Sequence, residues 1–223
     1  MHGWSALVLA GGAGRRFGWG KLLADLAGAP LIRRVTEAVA GSGFVEVIVV
    51  TGAEDAPVRA ALEGLSSRIL HAPDWAEGIA ATLRAGIAAL APEARGVCVF
   101  LGDMALVPVV LCPALSEAAE RSGYAARPRF EGKPGHPVAF TRAAFADLMA
   151  LQGDKGATAL LAGRPDAVAY IDTADSGVLL DIDTPEDLAV AARAWAAAAH
   201  MWKACATSAT NDSATSRGAL PKP

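Results

Sequence analysis

Three cations and two carboxylates in this sequence stand where a folded chain could bring them together. The cations belong to LVLAGGAGRRFGWGKLL (residues 7–23), in which Gly11, Gly12 and Gly14 follow an apolar run and precede Arg15, Arg16 and Lys21. Glycines after a buried strand let backbone N–H groups turn toward an anion and approach it closely. A dinucleotide's pyrophosphate needs little beyond backbone amides and a helix dipole. Extra cations suit a triphosphate, whose charge must be offset before attack. The carboxylates are Asp103 in VFLGDMALV and Asp183 in LLDIDTPEDL, with Asp181 two residues earlier. Magnesium favours one or two carboxylates plus substrate phosphates, which makes Asp103 and Asp183 candidate metal ligands and Mg²⁺ the expected cofactor.

Two better-known phosphate loops fail here. The G-x-G-x-x-G fingerprint of dinucleotide binders is missed because Gly12, Gly14 and Gly18 are spaced one residue too widely, and the acids Glu54 and Asp55 come late. A Walker A loop needs glycine where Arg15 stands, and a hydroxyl where Leu22 follows Lys21.

The elements that must position these groups alternate. Short apolar runs ending in turn residues predict strands at SALVLA (5–10), FVEVIVVT (44–51), RILHA (68–72) and GVCVFL (96–101), then HPVAF, AVAYI and GVLLDI. Helical periodicity predicts PLIRRVTEAVAG, APVRAALEGL, GIAATLRAGIAAL and TPEDLAVAARAWAAAAHMW, the last capped by Thr184. Alternating strands and helices imply an α/β, doubly wound, mostly parallel sheet with helices on both faces, a Rossmann-like arrangement. Asp103 then falls just past a strand's C-terminal end, where such sheets bind ligands. Asp183 stands just before the last helix, a place that also suits a turn residue.

Bulk properties bound the function. The 223 residues suit one large α/β unit, with a single domain expected over 1–203 and a disordered tail over 204–223. A formal net charge of −3 argues against a nucleic-acid partner recognised through a basic face. Cys98, Cys112 and Cys205 lack metal-ligand spacing and read as small apolar side chains. The apolar N-terminus lacks the basic flank of a signal peptide, and no apolar stretch is long enough to span a bilayer. A soluble, cytoplasmic protein without a membrane partner is expected.

The loop LAGGAGRRFGWGKL resembles the signature of the MobA-like NTP transferase family, in particular its molybdenum cofactor cytidylyltransferase branch. DWAEGIAATLRAG, EGKPGHPVAF, GDKGATALL and DIDTPEDLA resemble further stretches of that branch, in the same order. The resemblance implies that the Leu9, Ala10, Gly11, Gly12 and Gly14 backbone, with Arg15, holds base and phosphates. Arg16, Lys21 and Asp103 would be the catalytic groups, with Asp103 and Asp183 on the metal. Asp74, Gly78 and Thr82 would meet the nucleotide, and any hydroxyl contact falls to Thr82 because relatives carry serines at residues 81 and 82. His136 and Lys155 would bind the acceptor. Ala105 departs from the family's proline without removing a functional group.

The implied reaction is Mg²⁺-dependent transfer of CMP from CTP to the terminal phosphate of molybdopterin, with a molybdoenzyme or its chaperone as the onward partner. The guanylyl branch carries Leu-Ala-Gly-Gly where the cytidylyl branch carries Leu-Ala-Ala-Gly. Gly11 therefore has the guanylyl spelling, and the missing methyl would leave room for a larger base, keeping GTP open. A sugar or polyol phosphate as acceptor, or a dinucleotide-binding oxidoreductase on the same scaffold, are the competing readings.

Overall fold

The computed structural model describes residues 1–14 and 16–197; the Lys155 side chain lies outside the described set. Four parallel strands form the half of the sheet that carries the glycine loop. They are β1 (Trp4–Ala10), β2 (Glu46–Thr51), β3 (Arg68–His71) and β4 (Gly96–Leu101). In β1, β2 and β4 the β-branched and leucine residues are buried on both faces, as parallel strands between helix layers require, while β3 at the edge is only partly covered. Between them run α1 (Leu31–Ala40), α2 (Asp55–Ala61) and α3 (Ile79–Ala88), and α4 (Cys112–Ser122) follows β4.

The second half is antiparallel in part. β5 (Ala125–Phe130), β6 (Lys133–Pro134), β7 (Val138–Thr141) and β8 (Val168–Asp172) complete a sheet of order β3-β2-β1-β4-β7-β5-β6, with β8 parallel to β5. Short helices α5 (Phe145–Met149) and α6 (Thr158–Ala162) lie between β7 and β8. A further helix begins at residue 185 and runs to the end of the described residues at 197.

Two apolar layers sandwich the sheet. Ala6 and Val8 of β1 join Ile32, Val35 and Leu115 on one side, while Leu7 and Leu9 join Leu83, Ile87 and Phe140 on the other. This is the alternation a strand imposes on its side chains. Each large aliphatic side chain buried in these layers contributes about 1.5–3 kcal/mol. Among the described residues no helix is long and apolar enough to cross a membrane. Cys98 and Cys112 are buried, as small apolar side chains would be.

One predicted strand is absent. GVLLDI, expected to be extended, opens with a 3-10 turn over Ser176–Leu179 and enters no sheet. The turn is set locally: Asp175 Oδ1 accepts from Gly177 N at 2.8 Å, and the Val178 carbonyl is taken by His136 N at 2.8 Å. β5 and α4 were not anticipated. Pro128 and two arginines interrupt the apolar pattern of β5, and small residues blur the buried stripe of α4. The predicted tail, Cys205 and the end of the last helix lie outside the described residues.

Candidate active site

The loop after β1 turns back toward its own base: Phe17 N and Trp19 N both bond to the Gly14 carbonyl, at 3.0 and 3.4 Å. Gly18, Trp19 and Gly20 are all left-handed, with φ of 87°, 81° and 68°. Such a run is tolerable for glycine but strained for tryptophan. Glu54, after β2, anchors the loop by accepting from Gly20 N at 2.9 Å. This delivers Lys21 to the C-terminal edge of the sheet.

Asp103 reaches the same point from β4, and Asp183 from the turn ahead of the last helix. Lys21 Nζ donates to Asp103 Oδ2 at 2.6 Å and to Asp183 Oδ1 at 2.9 Å. Arg16, largely exposed, donates to Asp183 Oδ2 at 2.8 Å. Backbone ties hold the two acids in place. Ile182 N bonds to the Asp103 carbonyl at 3.1 Å, and Asp187 Oδ2 accepts from Asp183 N and Thr184 N at 3.1 and 2.8 Å. Asp187 N in turn bonds Thr184 Oγ1 at 3.2 Å, the reciprocal cap expected at this helix start. Asp181 is exposed and outside the cluster.

Burial alone would lower the Lys21 pKa, but the Asp103 and Asp183 carboxylates outweigh it and hold the ammonium above its ordinary value. The hydrogen bond from Lys21 pushes Asp183 below the ordinary carboxylate range, against a smaller effect of burial. Two carboxylates thus converge on one ammonium. Among the described residues, the buried Asp103 Oδ1 has no hydrogen-bond partner. An oxygen-only pair with one free carboxylate oxygen fits a hard divalent cation. Among the described residues no group of three potential ligands exists, so substrate oxygens would have to complete the shell.

A cleft of about 390 Å³ opens beside this corner, bounded by Gly11, Gly12, Gly14, Trp75, Thr82 and Asp103. Gly78 and Leu9 line it too, whereas Ala10 is buried behind it and Asp74 is exposed outside its walls. The Thr82 hydroxyl donates to the Ile79 carbonyl at 2.8 Å, so it is already engaged within its own helix. A side chain on residue 11 would overlap the Thr82 γ-methyl. The expectation of room for a larger base at Gly11 is thereby corrected: Thr82 fills that room.

A second cavity of about 190 Å³ adjoins the cleft through Leu9, Ile79 and Asp154, and His136 lines it. Burial and the neighbouring Arg127 cation lower the His136 pKa to about 4, with Asp103 pulling the other way, so the imidazole is neutral near pH 7. Arg15 and the Lys155 side chain lie outside the described residues; the Lys155 backbone ends the 3-10 turn Gly153–Lys155 beside α3.

Residues 6–173 match the MobA-like NTP transferase domain. The chain belongs to that family. Two relatives are 31% identical: nicotine blue oxidoreductase of Paenarthrobacter nicotinovorans, over 82% of this chain and 94% of its own, and purine catabolism protein PucB of Bacillus subtilis (strain 168), over 84% and 95%. The crystal structure of Rv0371c from Mycobacterium tuberculosis H37Rv superposes with a TM-score of 0.74 at 28% identity, covering 82% of this chain and 94% of that one. The same protein has been solved in complex with manganese, with a TM-score of 0.73 at 25% identity over 85% and 98%.

Within this MobA-like frame, four residues of the site escaped the sequence reading. Trp75 and Asp154 line the cleft, Glu54 fixes the loop, and Arg127 lines the second cavity. Trp75 and Asp154 sit inside stretches that carried the family resemblance, beside the residues singled out there. Arg127 and Glu54 had no signal in spacing, because only the fold brings them to the site.

Proposed function

We propose that this chain transfers a nucleoside monophosphate, CMP from CTP, to the terminal phosphate of a molybdopterin-type acceptor and releases pyrophosphate. The observation that carries this reading is the Lys21 ammonium shared by Asp103 and Asp183 at the mouth of the glycine-lined cleft. Asp103 and Asp183 would hold Mg²⁺. When bound, the ion would neutralise charge at the α-phosphate and blunt its repulsion of an anionic nucleophile.

The protein's own groups do the rest. Amides of residues 11–14 bind phosphate oxygens, and Lys21 and Arg16 offset charge on the departing pyrophosphate. An acceptor phosphate oxygen attacks the α-phosphorus, the bond to the β-phosphate oxygen breaks, and pyrophosphate leaves. The attacking oxygen is already ionised, so no side-chain base is required. Catalysis is then positioning and electrostatics. CTP is favoured over GTP because the Thr82 methyl takes up the space that the Gly11 spelling would otherwise free.

The test is pyrophosphate release by purified protein with Mg²⁺, molybdopterin and each NTP in turn. Release with CTP is expected, and no release with any NTP overturns the proposal. A second reading, a nucleotide-dependent oxidoreductase on this scaffold, is favoured by one observation, the name of the nicotine blue relative. NAD(P)H or flavin retained through purification would support it.

A further inference from the structure

One cation near the cleft is left unused by this chemistry. Arg127, in β5, is half-buried against the 190 Å³ cavity, and its Nε donates to the Gly135 carbonyl at 3.1 Å. No carboxylate among the described residues pairs with it. Its neighbour in the strand is different. Arg129 lies opposite Asp172 of β8 and bonds it through two nitrogens at 2.7 and 3.0 Å, whereas Arg127 lies opposite Tyr170. Withdrawing a guanidinium from water without a counter-ion costs free energy, and burial lowers the Arg127 pKa accordingly. His136 lines the same cavity; its ring lies against the Val99 backbone, and among the described residues its buried Nδ1 has no hydrogen-bond partner. Leu83, Val99, Val138 and Phe140 give the cavity apolar walls, and Thr158 adds a hydroxyl-bearing side chain at its edge. Asp154 stands at the seam with the nucleotide cleft and is exposed.

We propose that Arg127 and His136 form an oxyanion subsite, which takes a phosphate or carboxylate carried on an apolar body and so selects the acceptor. This rests on assigning the larger cleft to the nucleotide. The guanidinium fork matches two oxygens of either anion, and a neutral imidazole adds one directed donor. The apolar walls strengthen both interactions by excluding water. A ligand without the anion leaves a cation and a ring nitrogen unpaired, and this is how such a pocket discriminates.

The test is titration of the full-length protein with inorganic phosphate, and separately with acetate, followed at the His136 imidazole resonances by NMR. Those resonances are assigned by their loss in His136→Gln. Saturable shifts with at least one anion are expected, and which anion binds names the acceptor's group. Arg127→Gln should weaken that affinity at least tenfold, Arg127→Lys less, and Arg121→Gln, at an exposed arginine of α4 away from both cavities, not at all. No shift with either anion, or equal affinity in Arg127→Gln, overturns the proposal. Should Arg127→Gln fail to fold, Arg127→Lys carries the comparison, and an unchanged affinity there with an unchanged His136 shift pattern counts against the subsite. Binding is read without nucleotide or turnover. Its failure would leave the transferase reading standing, and failed pyrophosphate release with intact anion binding would remove only the latter.

Discussion

The Thr82 γ-methyl occupies the place where residue 11 would put a side chain, so Gly11 at the end of β1 and Thr82 in α3 are packed as one unit. The backbone at residue 11 is not left-handed, and collision alone demands glycine there. Gly11→Ala should therefore cost about 1–3 kcal/mol, the scale of overpacking a closed core. Thr82→Ser in the same chain should recover at least about 1 kcal/mol of it, since the two positions exchange one methyl. Urea melts of the four proteins of this double-mutant cycle measure the coupling. Nucleotide preference should be unaltered in the double variant, and a tenfold swing between CTP and GTP would show that the glycine serves the base after all.

Lys21 competes with a divalent ion for the same two carboxylates. Lys21→Ala should bind Mn²⁺ at least several-fold more tightly than the parent, as followed by electron paramagnetic resonance, while pyrophosphate release falls by orders of magnitude. Asp103→Asn should lose both metal binding and turnover. If removing the ammonium left Mn²⁺ affinity unchanged, the ion would bind elsewhere and the carboxylate pair would not be its seat.

His136 makes a signed prediction about pH. Its folded-state pKa is depressed to about 4 from an ordinary 6.5, so the unfolded chain binds the extra proton across that interval. Its stabilising contribution is then complete above pH 6.5 and is lost as pH falls toward 4, amounting to at most about 3 kcal/mol. Denaturant midpoints at pH 7.5 and 4.5 should differ less in His136→Gln than in the parent. An equal acid loss in both would assign it to other groups.

The parallel half of the sheet was legible in the sequence because buried strands there are uninterrupted β-branched runs, and β1, β2 and β4 appear within two residues of their expected bounds. The meeting of Lys21, Asp103 and Asp183 was legible because each stands where a strand end or helix start must deliver it to one edge. The antiparallel half was obscured. β5 reads as polar because Arg127 faces a cavity and Arg129 a cross-strand acid on β8, and only the assembled fold supplies either. GVLLDI is apolar because Val178 and Ile182 are buried without entering a sheet, and composition does not separate those two fates. The role of Gly11 is hidden for a similar reason, since the sequence reveals a missing methyl but not that Thr82 occupies its place.

Gly78 joins the two cavities mechanically, and its replacement should show it. The residue precedes α3 with φ 112° and ψ −177°, a conformation that side-chain-bearing residues rarely adopt. A Cβ there would overlap Asp154 Oδ1 and lie 2.8 Å from the Gly153 carbonyl carbon and oxygen. The 3-10 turn Gly153–Lys155 can thus lie against the start of α3 only because residue 78 has no side chain. Strain and displacement together should make Gly78→Ala destabilising by about 1–3 kcal/mol. Pushing that turn outward opens a wall common to both cavities, so KM should rise for nucleotide and acceptor alike while kcat, set at Lys21 and Asp103, falls less. Gly132→Ala supplies the control, being left-handed at φ 77° with open space around it, and it should carry the strain without the change in KM. Equal KM values in the two variants would mean that the turn does not shape either pocket, and the contact with Gly78 would then be packing alone.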